Sequence, residues 1–148
     1  MLPNDPRCGK PPAAQSLGRT ALKLHPDPRS TDNIVTAYSC DYIAVSGRML
    51  TRSLLLLPDR LDTQWGPDVF ADLKVSHLEQ LVTMTCDVVL LGTGRRQRFP
   101  APELMRPLIE AGRGFEIMDT AAACRTYNLL VGEGRLPLAA LILEKDAA

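Results

Sequence analysis

The sequence predicts one α/β domain in which antiparallel strands come first, followed by strand, helix, strand, helix, strand. Three observations carry this. The 148 residues suit a single domain with a short tail, and a folded chain of that size buries about 68–70% of its unfolded surface without needing a staple. Apolar residues make up 45% and charged residues 23%, both close to globular averages. From Asp87 onward short apolar runs alternate with helical stretches, an order that calls for parallel pairing through right-handed crossovers.

Taken in order, Asn33–Ser39 and Asp41–Val45 have the β-branched and aromatic content of strands. Ser46-Gly47 offers a tight turn into a strand over Met49–Leu57, ended by Pro58. The four leucines Leu54–Leu57 predict a strand covered on both faces. Residues 58–75 read as a loop with room for a short turn, and they carry Trp65, the single tryptophan. Ser76-His77-Leu78-Glu79 has the capping-box pattern, with Ser76 as cap, Glu79 reaching back and His77 an ordinary exposed residue in the first turn. That helix runs to about Met84. Asp87–Leu91 is a buried strand ended by Gly92-Thr93-Gly94. Pro102–Ala111 is a helix with proline in its first turn and Gly112 as its stop, and Pro107 threatens a kink. Phe115–Met118 is a short strand. Asp119 caps a helix over Thr120–Val131, stopped by Gly132-Glu133-Gly134. Leu136–Leu143 is the last strand, and its connection of about four residues allows either direction.

Charge is unevenly placed. Lys+Arg and Asp+Glu both number 17, yet residues 1–30 hold five basic and two acidic side chains, so the remainder is mildly acidic. Six of the twelve prolines also lie in those thirty residues, and residues 1–21 are expected to form a disordered Pro-rich extension to a domain over 22–148. The leader lacks the apolar core of a secretory signal, and its prolines make a poor amphipathic presequence. The longest apolar runs, Leu54–Leu57 and Leu138–Leu143, fall far short of the ~20 residues of a membrane span. Cys8, Cys40, Cys86 and Cys124 are scattered with no C-x-x-C pair, so a zinc site is not expected. They suit buried small hydrophobes in a reducing compartment, and the cytoplasm is the expected location.

Two loops could carry chemistry, because ligands of doubly wound sheets sit beyond the carboxyl ends of parallel strands. These are Gly92–Arg98 and Met118–Thr120. Gly92 and Gly94 offer backbone amides, and Arg95, Arg96 and Arg98 bring three guanidiniums within four positions. That set suits a phosphate or carboxylate. It is neither a Rossmann fingerprint, since Gln97 stands where the third glycine belongs, nor a P-loop. Asp119 at the helix start would repel an anion, and Asp119, Glu116 or Glu133 could pair with Arg95 or Arg96. Internal pairing, a protein-partner surface and a small anionic ligand therefore all remain open readings. Cys124 has no base placed near it by any local signal and reads as core. No catalytic set, cofactor motif or nucleic-acid stripe is present, only one short arginine cluster beside Phe99.

The segments D-V-V-L-L-G-T-G-R-R-Q-R-F-P (Asp87–Pro100) and F-E-I-M-D-T-A-A-A-C-R-T-Y-N-L-L-V-G-E-G-R (Phe115–Arg135), with Leu22-Lys23-Leu24-His25, resemble one family. It comprises mitochondrial respiratory complex I assembly factor 3 and its bacterial and archaeal relatives, long catalogued as a domain of unknown function. The resemblance covers about residues 22–143. It implies a three-layer α/β fold with a central mixed sheet, whose last strand runs antiparallel to its neighbours. It supplies no catalytic residue, and it implies a non-enzymatic assembly or binding role with a protein partner such as a membrane-associated complex. The positions matching its motifs are Gly92, Thr93, Gly94, Arg95, Gln97, Asp119, Thr120, Arg125, Tyr127, Asn128 and Arg135, which with Arg96 make up the candidate surface. The alternative is a small anionic ligand, or an enzyme acting on one, at the Gly92–Arg98 loop.

Overall fold

The computed structural model describes residues 32–144; the expectation for residues 1–21 lies outside them. Three short strands, β1 (Val35–Tyr38), β2 (Ile43–Val45) and β3 (Arg48–Leu50), form an antiparallel sheet in the order β1-β2-β3. A second, five-stranded sheet contains β4 (Leu54–Leu57), β5 (Arg60–Asp62), β6 (Val88–Gly92), β7 (Phe115–Met118) and β8 (Pro137–Leu141), in the order β5-β4-β8-β6-β7. The helices are α1 (Val75–Val82), α2 (Pro102–Glu110) and α3 (Thr120–Gly132).

The expected α/β architecture is present, with a mixed central sheet and three layers. The connection β6-α2-β7 moves one place along the sheet, and β7-α3-β8 moves back past β6. Crossovers of one hand that run in opposite directions place their helices on opposite faces. Accordingly α1 and α2 cover one face, where Leu78, Leu81, Met105 and Leu108 meet Leu55, Leu57, Val89 and Leu91. On the other face α3 and the small sheet bring Tyr127, Cys124, Ile43 and Val45 against Leu54, Leu56 and Leu90. All four leucines of β4 are buried, as a strand clothed on both sides requires, and each contributes roughly 1.5–3 kcal/mol by leaving water.

Several expectations are corrected. Met49–Leu57 is not one strand: β3 and β4 belong to different sheets. Between them buried Ser53 makes a corner, its hydroxyl donating to the Pro67 carbonyl at 2.7 Å and accepting from the Leu143 N–H at 3.0 Å. The 58–75 loop contains β5, which turns back on β4 across Pro58-Asp59, and a short 3-10 turn at Phe70–Asp72. Helix α1 starts before Ser76, so the serine cannot cap it. Lys74 holds the cap position, and its N–H donates to His77 Nδ1 at 2.9 Å. His77 is half-buried rather than exposed, because Trp65 packs edge-on against its ring and donates its indole N–H to the His77 carbonyl at 3.2 Å. Finally, β8 is antiparallel to β4 but parallel to β6. The helix before it returns the chain to the starting edge, so β8 runs in the direction of β6.

Candidate functional site

The parallel strands β8, β6 and β7 end together, with Gly92 in register with Leu141 on one side and Met118 on the other. Strand order reverses at β6, which makes the loop after it the topological switch point where α/β sheets take ligands. Here that loop is closed by its own polar groups. Thr93 is fully buried: its N–H donates to the Met118 carbonyl at 2.9 Å, and its hydroxyl donates to the Arg96 carbonyl at 2.7 Å while accepting from the Arg98 N–H at 3.1 Å. The Gly94 N–H donates to Thr120 Oγ1 at 2.8 Å, and that hydroxyl donates to the Ile142 carbonyl at 2.7 Å. Gly92 is required for the fit, since a Cβ there would lie 2.9 Å from the Thr120 Cα. Gly94 sits at φ +102°, a region that side chains rarely adopt.

Arg98 turns inward. Its Nη2 donates to the Thr93 carbonyl at 2.7 Å and pairs with Glu144, and its guanidinium lies over the Phe70 ring, 4.8 Å from the centroid. Glu144 also accepts from the Phe70 N–H at 3.2 Å. The pair is largely shielded, at 27% and 16% side-chain exposure, where charge-assisted bonds are strong. The Gly94 amide that could have cradled an anion is thus committed, and the Arg98 guanidinium is neutralised. The cavity remaining between this junction and the β1–β2 loop measures about 30 Å³, lined by Gly94, Arg95, Thr120, Ala121, Tyr38 and Glu144 among others, space on the order of one or two waters.

The other positions separate into distinct places. Arg95, Arg96 and Gln97 are exposed, as is Phe99 at 70%. Gln97 lays its side-chain amide on the Ile117 carbonyl at 2.8 Å. Asp119 caps α3, accepting from the Ala122 N–H at 2.8 Å. Arg125, Tyr127 and Asn128 face the first strand. Arg125 donates to the Tyr38 hydroxyl at 3.1 Å, buried Tyr127 donates to the Asn33 carbonyl at 2.8 Å, and Asn128 bonds both backbone groups of Val35. Arg135 lies at the opposite end of the sheet, 3.6 Å from the Asp87 carboxylate. Burial pushes the Tyr127 phenol well above its ordinary value, with Asp32 and Asp59 adding to the effect. Cys124 is sealed in the core, and burial pushes its thiol up to about 12, the opposite of an activated nucleophile. Cys40 is disulfide-bonded, so the expectation of reduced cysteines does not hold at that position. Among the described residues no cluster of His, Cys, Asp or Glu could hold a metal ion.

The family described as "Protein of unknown function (DUF498/DUF598)" matches residues 35–142. The chain belongs to this family. The relatives of this DUF498/DUF598 chain agree with the resemblance read from the two motifs. The bovine (Bos taurus) NADH dehydrogenase [ubiquinone] 1 alpha subcomplex assembly factor 3 is 31% identical over 146 residues, covering 95% of this chain and 79% of that protein. A Francisella tularensis "13 kDa major membrane protein" is 37% identical over 75 residues, which is 51% of this chain and 61% of that protein, less than two thirds of its length. A crystal structure of a Bordetella parapertussis protein superposes with a TM-score of 0.71 at 40% identity, covering 78% of this chain and 98% of that one.

Sequence reading of this DUF498/DUF598 member missed Glu144 and Phe70, which lie 46 and 28 positions from Arg98 and carry no local signal. It also missed a groove of about 550 Å³ between α1 and α2, lined by Val75, Glu79, Val82, Glu103, Arg106, Pro107 and Glu110. Amphipathic spacing identifies two helix faces without telling how far apart they stand. No described helix of this family member is long and apolar enough to cross a membrane.

Proposed function

We propose that this chain is a non-enzymatic protein-binding module of assembly-factor type, contacting its partner through the exposed loop Arg95–Phe99. One observation carries the reading. The switch-point crevice is occupied by the chain's own Thr93, Thr120, Arg98 and Glu144, while Arg95, Arg96, Gln97 and Phe99 are exposed. Arginine and aromatic side chains are the usual anchors of protein interfaces. The names of the relatives, an assembly factor of NADH dehydrogenase and a membrane protein, favour a membrane-associated complex as the partner. The cytoplasm is the compartment proposed, on the free thiols Cys86 and Cys124, with Cys40 the exception.

Two measurements test this. A thermal-shift panel of nucleotides, phosphates and carboxylates should leave the melting point unmoved. A ligand at 100 times its Kd would add ~2.7 kcal/mol and raise it by several degrees, and such a shift would overturn the non-enzymatic reading. Affinity capture from detergent-solubilised membranes should recover a stoichiometric partner with the wild-type chain, and lose it with the double substitution Arg95→Ala and Arg96→Ala. Unchanged recovery would move the contact off this loop.

A further inference from the structure

We infer that Cys8 is the residue joined to Cys40, and that this disulfide clasps the leader beside the Arg95–Phe99 loop until cellular thiols release it. The regulatory part rests on the reading of that loop as a protein-contact surface.

Elimination fixes the pairing. The chain has four cysteines, Cys8, Cys40, Cys86 and Cys124. Cys40 is disulfide-bonded, while Cys86 and Cys124 are free thiols. Within one chain that leaves Cys8, 32 positions before Cys40. The bond closes a ring through residues 9–31, and so returns the leader to the domain at a second point.

The anchor decides where the leader is held. Cys40 stands at the tip of the turn between β1 and β2, where the Ser39 N–H donates to the Tyr42 carbonyl at 2.9 Å and the Asp41 N–H to Ser39 Oγ at 3.1 Å. The turn is closed by these bonds, and Cys40 is half-buried and belongs to neither apolar core. Opening the disulfide therefore leaves the described packing intact. Cys40 also lines the cavity of about 30 Å³ whose wall includes Gly94, Arg95 and Thr120. The leader is thus tied down next to the first residue of the contact loop. Both signs of charge meet there, with Arg95 and Glu144 in the cavity wall and Asp41 beside the anchor, so the placement depends on the covalent bond and not on charge.

A disulfide at a half-open turn is accessible to exchange, and in a reducing compartment such bonds are transient and regulatory. A cellular monothiol opens it in two steps. Its thiolate attacks one sulfur, forming a mixed disulfide and expelling the other cysteine as thiolate. A second thiolate then attacks the monothiol's sulfur in that mixed disulfide and expels the remaining cysteine. Two monothiols become one small disulfide, and two electrons and two protons pass to Cys8 and Cys40. The small disulfide drives the reverse. Closed, the clasp sets the leader in competition with a partner for the space around Arg95; open, it leaves the loop accessible.

The test uses the full chain in defined mixtures of a monothiol and its disulfide. Peptide mapping of the oxidised chain should find the Cys8 and Cys40 peptides joined, with Cys86 and Cys124 alkylated as free thiols after denaturation. Thiol should separate the pair while thermal unfolding stays cooperative. Amides of Arg95 and Arg96 should exchange with deuterium more slowly in the oxidised wild type than in Cys8→Ser. Capture from detergent-solubilised membranes should recover at least about 5-fold more partner in the reduced state, as when a minor fraction of chains is competent under oxidation. Cys8→Ser and Cys40→Ser should capture at the reduced level with or without thiol. Unjoined Cys8 and Cys40 after oxidation, or a pair joined only in a covalent dimer, would overturn the pairing. Equal exchange at Arg95 and Arg96 would overturn the placement of the leader. Joined cysteines with arginine-dependent capture that is equal in both redox states would overturn the regulatory role. If the arginine substitutions abolish capture while Cys8 and Cys40 never join, the clasp fails and the loop reading stands. If capture is indifferent to those substitutions while the pair joins and slows exchange at Arg95 and Arg96, the clasp stands and the loop reading fails.

Discussion

The side chain of Asn128 pairs with the backbone of Val35 as a neighbouring strand would, accepting from its N–H at 2.8 Å and donating to its carbonyl at 2.7 Å. The two residues are 93 positions apart, and the pair ties the small sheet to α3. Asn128→Ala removes both partners from a buried strand residue, where each orphaned group costs about 1–3 kcal/mol. The expected result is a loss of about 2–4 kcal/mol in chemical denaturation. Asn128→Asp, which keeps the acceptor and loses the donor, should fall between. A loss under about 0.5 kcal/mol for the alanine variant would show that the pair contributes little.

The junction of β6 with α3 depends on the absence of one carbon. Gly92→Ala would press a Cβ against the Thr120 backbone and the Leu141 side chain, and overpacking of this kind costs about 1–3 kcal/mol. Gly114→Ala is the control, because a Cβ there meets nothing within 4 Å and its φ is not positive. Melting curves should show several degrees lost for the first substitution and almost none for the second.

His77 sets a pH dependence with a definite sign. Burial, and then the Lys74 cation, hold its ring below the ordinary imidazole value, with Asp72 opposing in part. Nδ1 must also be unprotonated to accept from Lys74. A histidine whose folded value lies below its unfolded one favours folding when neutral. That contribution is complete above the unfolded pKa of about 6.5 and is lost as pH falls through it toward the lowered folded value. Between about pH 7.5 and about pH 5 the wild type should therefore lose more thermal stability than His77→Gln. Equal losses in the two proteins would remove His77 from the account.

Thiol reactivity should separate two cysteines. Burial pushes both thiols up, but Cys124 is fully buried, whereas Cys86 is half-buried and its rise is partly offset by Arg113, whose guanidinium donates to its sulfur at 3.2 Å. Alkylation followed by peptide mapping should label Cys86 first and leave Cys124 unmodified until the fold opens, so its labelling tracks global unfolding. Rapid native labelling of Cys124 would contradict the packing of α3.

Features with a local physical cause are legible in the sequence. Four consecutive leucines announce a strand covered on both faces, and Asp119 ahead of three alanines announces a capped helix. The alternation after Asp87 announces parallel crossovers. What escapes is set by distant partners. Ser53 breaks the expected Met49–Leu57 strand because its hydroxyl meets Pro67 and Leu143, 14 and 90 positions away. The start of α1 differs because the Lys74 N–H is met by His77 Nδ1, and His77 is half-buried because Trp65, twelve positions earlier, packs on its ring, a partner that a capping pattern read over four residues does not contain. The strand pattern puts the Gly92–Arg98 loop at the carboxyl edge, but its closure depends on Thr120, Ile142 and Glu144, none of which is near in sequence. Arg135 shares the family motif yet lies at the other end of the strands, because a motif along the chain does not say which end of a sheet each residue reaches.

The position of β8 has a consequence for how the protein is made. Pro137–Leu141 is the last strand among the described residues and the third in the sheet, the piece that joins β4 to β6. During synthesis the β4–β5 hairpin and the β6–β7 pair emerge as two halves with no strand between them, each showing an unpaired, leucine-rich edge. The halves close into one sheet only after residues near 141 have left the ribosome, so the sheet cannot be completed while they are still being added. Until that point the nascent chain is a client for whatever in the cell shields bare strands.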